Sequence, residues 1–198
     1  MGGGILPCTI HNNKLLFLFG KENKYADTPG WSDFGGGKDG NETPLQTALR
    51  EGVEELTGFL GDTKDIKNLL KAGVYKVEID SSSSNNPYIV HIFPMQYDAN
   101  LPHYYNNNRI FLEKKMDVAI MKKSKIFEKA EIKWISIDDM IRNSKKFRKY
   151  FQTTCKKLYK EKKEIQKFIN ARLRKKKSSS STRKVRGTRN NKTVKNKS

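Results

Sequence analysis

The chain has 198 residues, with 40 Lys plus Arg against 21 Asp plus Glu, a formal net charge of +19 and a pI near 9.9. That length holds one ordinary domain with appendages rather than two domains. At 35% hydrophobic residues, against roughly 45–50% for a globular average, part of the chain is not expected to pack.

The excess charge is localised. Residues 142–198 carry 23 Lys/Arg and only two acids, Glu161 and Glu164, whereas residues 1–141 carry 17 Lys/Arg and 19 acids. A near-neutral domain with a basic extension is expected, not a basic coat protein. No stretch of about 18 apolar residues is present, so no membrane span or membrane partner is expected. The start lacks a basic n-region and a long apolar core, so no secretory signal is expected. Gly2 invites a myristoylation reading, but Leu6 stands where Ser or Thr is wanted. The expected location is cytoplasmic, with nuclear entry open through the basic tail. Cys8 and Cys155 have no metal-ligand spacing and form no disulfide framework, and Cys155 is expected to pack. Oligomeric state is not legible.

In chain order, Ile5–His11 and Lys14–Gly20 read as strands joined at His11-Asn12-Asn13, a hairpin. Asp27–Gly40, with five glycines and a proline, reads as a turn-rich loop. Thr43–Thr57 reads as a helix, with Thr43 at the N-cap, Pro44 at N1 and Gln46 completing a capping box. Leu45, Ala48, Leu49, Gly52, Val53 and Leu56 form its predicted buried face, and Gly58 and Gly61 end it. Asp62–Leu70 reads as a short helix, Ala72–Ile79 as a strand, Ser81–Asn86 as a loop and Tyr88–Gln96 as a strand. Asp98–Asn108 reads as a polar loop carrying Tyr104 and Tyr105, and Arg109–Lys115 as a strand or an insertion. Glu131–Ile137 is a predicted strand, and Ser136 with Asp139 opens a helix over Asp138–Asn143. Lys145 to Lys175 reads as one long amphipathic helix. Beyond Lys177 the polar, basic composition cannot offset the entropy of ordering, so disorder is expected. The expected organisation is a domain over 1–142, a basic amphipathic helix over 143–177 and a disordered basic tail over 178–198.

The chemistry concentrates between Gly35 and Gly58. Glycines let backbone N–H groups approach phosphate oxygens. Glu51, Glu54 and Glu55, at i, i+3 and i+4, are expected to project from one helix face, and carboxylates that close call for a hard cation such as Mg²⁺ or Mn²⁺. Arg50 can tether one of them by a bidentate pair. Phosphate cradle, acidic helix and metal together suggest attack of water on a phosphate chain.

These residues resemble the Nudix box, G-x5-E-x7-R-E-U-x-E-E-x-G-U, with U aliphatic. Gly36, Glu42, Arg50, Glu51, Glu54 and Glu55 fall in register; Gly52 replaces the first U, and the final glycine, Gly58, comes one place late behind Thr57. Trp31-Ser-Asp-Phe34 before the glycines and Glu131-Ile-Lys-Trp134 further on resemble the family's flanks. The resemblance implies an α/β/α sandwich with a mixed sheet. It implies Glu54 and Glu55 as principal metal ligands, Glu51 as ligand or base, Arg50 as the residue orienting them and Glu42 as the link from loop to helix. Family members often add a carboxylate from a later loop, for which Glu128 is the first candidate and Glu113 the second. Gly36, Gly37, Trp31 and Tyr104 are candidate substrate contacts. His11, His91 and His103 form no local cluster.

The activity implied is hydrolysis of a nucleoside diphosphate linked to another group. Arg172, Arg174, Lys175, Lys176 and Lys177 begin a stretch suited to RNA through counterion release. Three readings stand: hydrolysis at the 5′ cap or triphosphate-derived end of RNA; hydrolysis of small nucleotides, nucleotide sugars, or dinucleoside or inositol polyphosphates, with the tail serving location; and a non-catalytic RNA-binding module. The Lys and Asn richness, with the altered box ending, resembles Nudix proteins of large DNA viruses, some of which remove mRNA caps.

Overall fold

The computed structural model describes residues 2–23, 26–81, 84–124 and 126–173. Arg174, Lys175, Lys176, Lys177 and the 178–198 tail lie outside them. Among the described residues, seven strands form one mixed sheet: β1 (Gly2–His11), β2 (Lys14–Glu22), β3 (Trp31–Ser32), β4 (Phe34–Gly37), β5 (Tyr75–Ser81), β6 (Ser84–Pro94) and β7 (Lys129–Ser136). The order β3-β2-β1-β6-β5 is extended by β4 on β1 and β7 on β2; only β1–β6 is parallel among these pairings. Asn12 and Asn13 have φ of 48° and 59°, the paired left-handed residues that a tight hairpin needs.

Strand alternation feeds two cores. Leu6, Cys8, Phe17, Phe19, Val90 and Ile92 face one side, while Ile5, Leu18 and Phe93 face the other. The second core is closed by α1 (Pro44–Glu55), α2 (Thr63–Leu70) and α3 (Asn100–Lys115), through Leu49, Ile66 and Tyr105. A short helix, α4 (Val118–Ser124), follows α3. The first core is closed by α5 (Ile137–Arg142), α6 (Phe151–Lys160) and a helix over residues 162–173, α7, through Met140, Phe151, Leu158, Ile165 and Ile169. The result is an α/β/α sandwich, and the basic C-terminal segment supplies most of one layer.

Several expectations need correction. The single helix from Lys145 is two helices, α6 and α7, interrupted at Glu161. Its start is displaced because Phe147 is extended and bridges to Trp31, and the Arg148 N–H donates to the Trp31 carbonyl at 3.0 Å. At the interruption the Glu161 carboxylate accepts the Tyr75 hydroxyl at 2.9 Å. The centre of the Asp27–Gly40 loop is strand, over Trp31–Ser32 and Phe34–Gly37, where Gly35, Gly36 and Gly37 pair with Gly4, Gly3 and Gly2. Asp98–Lys115 is mostly helix, not loop and strand. Its polarity is deceptive: the Asn106 amide bonds both backbone groups of Ile132, at 2.9 and 3.1 Å, in place of a strand neighbour at the outer edge of β7. Strand β6 begins at Ser84, so Ser84–Asn86 is strand as well. Leu45, assigned to the buried face of α1, is 39% exposed, and Thr47 and Glu55 are buried there instead.

Candidate functional site

The site forms where β4 runs under α1. The helix begins as its sequence dictates: the Thr43 side chain accepts the Gln46 N–H, Gln46 reaches back to the Thr43 N–H at 2.8 Å, and Pro44 occupies the first turn. Gly52 packs tightly on Ile5: a Cβ there would stand 2.4 Å from Ile5 Cδ1 and 2.9 Å from Cγ1, so that side chain would have to shift. The altered helix exit is also explained. Thr57 adopts φ 52°, a left-handed conformation usually left to glycine, and its Oγ1 accepts the Phe127 N–H at 3.0 Å.

Arg50 organises the outer carboxylates. Its Nε and Nη2 grip Glu42 at 3.0 and 3.1 Å, Nη1 reaches Glu51 at 2.7 Å and Glu54 at 3.4 Å, and Nη2 also donates to the Gly37 carbonyl at 3.1 Å. The arginine thereby ties loop, strand and helix together and holds the Glu42 carboxyl down at about 2. Glu51 lies against Gly36, where a Cβ would approach Oε1 to 2.5 Å. The glycine leaves a cradle in which the carboxylate sits directly on the strand.

Glu55 goes elsewhere. Its side chain is 8% exposed, against 44% for Glu54. Oε2 accepts the Gly35 N–H at 2.9 Å, and Oε1 meets the ammonium of Lys129 at 2.7 Å. Lys129, fully buried, also contacts Glu22, and Glu22 is held by Arg148 at 2.7 Å. Burial pushes the Lys129 ammonium toward deprotonation, but Glu55 and Glu22 outweigh it and hold the proton firmly in place. Asp33, close by and fully buried, accepts the Tyr88 hydroxyl at 3.0 Å through Oδ2, while Oδ1 finds no hydrogen-bond partner among the described residues. Burial pushes its carboxyl up to about 7, with Tyr88 and Lys129 opposing.

Among the described residues, no three carboxylate, imidazole or thiolate groups converge as a preformed metal cage. The donor chemistry fits a hard cation at Glu51 and Glu54, where the glycine cradle gives room. Glu128, at the mouth of β7, accepts the Asn23 amide through its carbonyl at 3.0 Å, and Glu113 pairs with Arg109 at 2.7 Å along α3. Trp31 packs on the first core, while Tyr104 is 57% exposed on α3. Gly37 is exposed at the end of β4, Gly58 takes φ 73° after the helix, and Arg172 covers the Phe168 ring at 4.1 Å. Sequence reasoning missed Glu22, Asp33, Lys129 and Arg148. No spacing links them: Lys129 lies two residues before the predicted strand Glu131–Ile137, and only the observed strand, which begins at Lys129, takes it in.

No protein-family model and no curated protein matches the sequence. Among solved structures the chain is similar to a Nudix hydrolase from M. smegmatis, RenU, at 14% identity over 83% of this chain and 86% of that one, with a TM-score of 0.50. Weaker likenesses are the NUDIX domain of Shewanella oneidensis NrtR complexed with ADP ribose (15%, 83% and 86%, TM-score 0.44) and a C. elegans Ap4A hydrolase (15%, 87% and 96%, TM-score 0.42). With β4, α1 and the sandwich around them arranged as described, the chain has the fold of the Nudix hydrolases.

Proposed function

We propose that this protein is a divalent-metal-dependent pyrophosphohydrolase that cleaves a nucleoside-diphosphate-linked substrate, with the 5′ end of RNA as the favoured one. The observation that carries the reading is the Arg50 clamp, which fixes Glu51 and Glu54 beside the glycine strand. Glu51 and Glu54 would hold Mg²⁺ or Mn²⁺, with Glu55 behind them. When bound, such an ion neutralises phosphate oxygens and acidifies a water. Gly36 and Gly37 leave the backbone open to phosphate, Glu42 and Arg50 keep the glutamates oriented, and Glu128 takes the proton of the attacking water. Tyr104, exposed on α3, would stack on a base of the substrate.

The preference for RNA rests on charge. Lys156, Lys160, Lys163 and Lys167 are exposed along α6 and α7, just before Arg172 and the basic run Arg174, Lys175, Lys176 and Lys177. Such a surface gains affinity for a polyanion by releasing counterions. Small nucleotides are the second reading, favoured if the basic segment serves location only.

The test is release of labelled product from capped RNA beside a panel of free nucleotides, with and without Mg²⁺. Metal-dependent release, strongest from capped RNA and weakened when the chain is truncated after Asn170, is the expected result. Release from free nucleotides alone would move the assignment to the second reading. Binding of RNA without metal-dependent release from any substrate would leave only a non-catalytic module.

A further inference from the structure

We infer that Lys129 is a built-in cation that withholds Glu55 from the metal, so that the site is a two-carboxylate site at Glu51 and Glu54 with Glu55 as a positioning residue. This rests on the metal-dependent reading above.

Four observations carry it. First, the Lys129 ammonium is fully buried and lies 2.7 Å from Glu55, with Glu22 as a second carboxylate contact. A buried ammonium so placed is not a solvated surface charge that happens to touch a glutamate. Second, the fold makes room for it: a Cβ on Gly20 would stand 2.8 Å from Lys129 Cγ, so the stem crosses β2 only because residue 20 is glycine. Third, the other oxygen of Glu55 is already spoken for by the Gly35 N–H. Both oxygens are thus used in binding the helix end to β4 and β7. Fourth, Arg148 grips Glu22 from the segment leading into α6, so the same network fastens the C-terminal layer to the helix that carries the site. The next residue back, Glu54, makes a long 3.4 Å contact to Arg50, and its side chain is 44% exposed.

The chemical consequence is specific. Lys129 supplies one positive charge that a third carboxylate would otherwise draw from the metal, and it fixes the end of α1 against the glycine strand whether or not metal is bound. Lys129 touches neither the reacting atoms nor the substrate in this assignment.

The test is Mn²⁺ binding to the full chain, followed by electron paramagnetic resonance and calorimetry, in wild type, E54Q, E55Q and K129Q. E54Q is expected to bind about tenfold more weakly or worse, and E55Q within about twofold of wild type. K129Q, which frees Glu55 and removes a neighbouring positive charge, is expected to bind at least about threefold more tightly, a change that a merely structural lysine would not produce. Weakening in E55Q equal to that in E54Q would overturn the inference while leaving the metal reading intact, and so would unchanged or weaker binding in a folded K129Q. If K129Q does not fold, the comparison of E55Q with E54Q decides alone. Absence of Mn²⁺ binding in wild type would overturn the metal reading itself, and the inference with it.

Discussion

Two ionic groups meet α1 at the adjacent residues Glu54 and Glu55, and they differ in burial, in partners and in how far apart in sequence their members lie. The outer group, Arg50 with Glu42, Glu51 and Glu54, sits over a glycine strand at the surface, where each carboxylate keeps some access to solvent. The inner group, Glu55 with Lys129, Glu22 and Arg148, is mostly buried, with the ammonium of Lys129 fully enclosed and Asp33 and Tyr88 beside it. The outer group can exchange a protein cation for a metal at little cost in desolvation. The inner group cannot lose a partner without stranding a buried charge. Adjacent glutamates on one helix can therefore serve chemistry and architecture separately, and the sequence pattern alone does not tell which does which.

That contrast is sharpest in stability. Lys129→Met is expected to leave Glu55 and Glu22 buried without their shared cation. It should cost about 3–5 kcal/mol, lowering the melting temperature by about 10 °C, with most of the loss recovered in the double variant Lys129→Met/Glu55→Gln. A loss of under about 1 kcal/mol by denaturant titration would show the inner group to be no more than a surface-type pair.

The next effect is in pH. The Asp33 carboxyl is pushed up to about 7 in the folded chain, against about 3.9 when unfolded. Between those values the folded chain holds a proton that the unfolded chain has released. The contribution of Asp33 is therefore fully present below about pH 4 and is lost as pH rises through about 7. Asp33→Asn should make the decline of stability over pH 4–7 shallower by on the order of a few kcal/mol. Parallel profiles for the two proteins in chemical denaturation would remove Asp33 from the inner group.

A smaller effect tests how the helix leaves the site. Thr57→Val keeps the side-chain shape but deletes the acceptor of the Phe127 N–H, and should cost about 1–2 kcal/mol in thermal or denaturant unfolding. No change would mean that the left-handed residue is held by packing alone.

How much of this was legible beforehand follows from the kind of signal involved. Helix α1 was readable to within a residue or two because its start is written in local chemistry, Thr43 with Pro44 and Gln46, and its box residues have fixed offsets. The hairpin at Asn12-Asn13 was readable for the same reason. Helix α3 was not. Its inward residues are few, and Asn106 looks like a loop residue until the edge of β7 stands beside it. The glycines read as part of a turn-rich loop, although Gly35, Gly36 and Gly37 are strand residues, and close neighbours leave no room for a side chain on Gly35: Tyr88 Oη would lie 2.1 Å from a Cβ there. The C-terminal segment reads as one amphipathic helix from Lys145, but nothing local marks its late start after Phe147, which depends on Trp31 far away in sequence. Among the site residues, the outer group was legible because its members lie within 13 residues of one another, from Glu42 to Glu54. The inner group joins positions 22, 55, 129 and 148, and only the fold brings them together.

The division of labour along α1 meets its most direct test in the rate of Mg²⁺-dependent product release by Glu54→Gln beside wild type. The outer carboxylate should be dispensable for folding and indispensable for chemistry, so the variant is expected to keep its melting temperature and lose turnover by about 100-fold or more. Unchanged turnover in a folded Glu54→Gln protein would contradict the assignment of the outer group as the metal-bearing face.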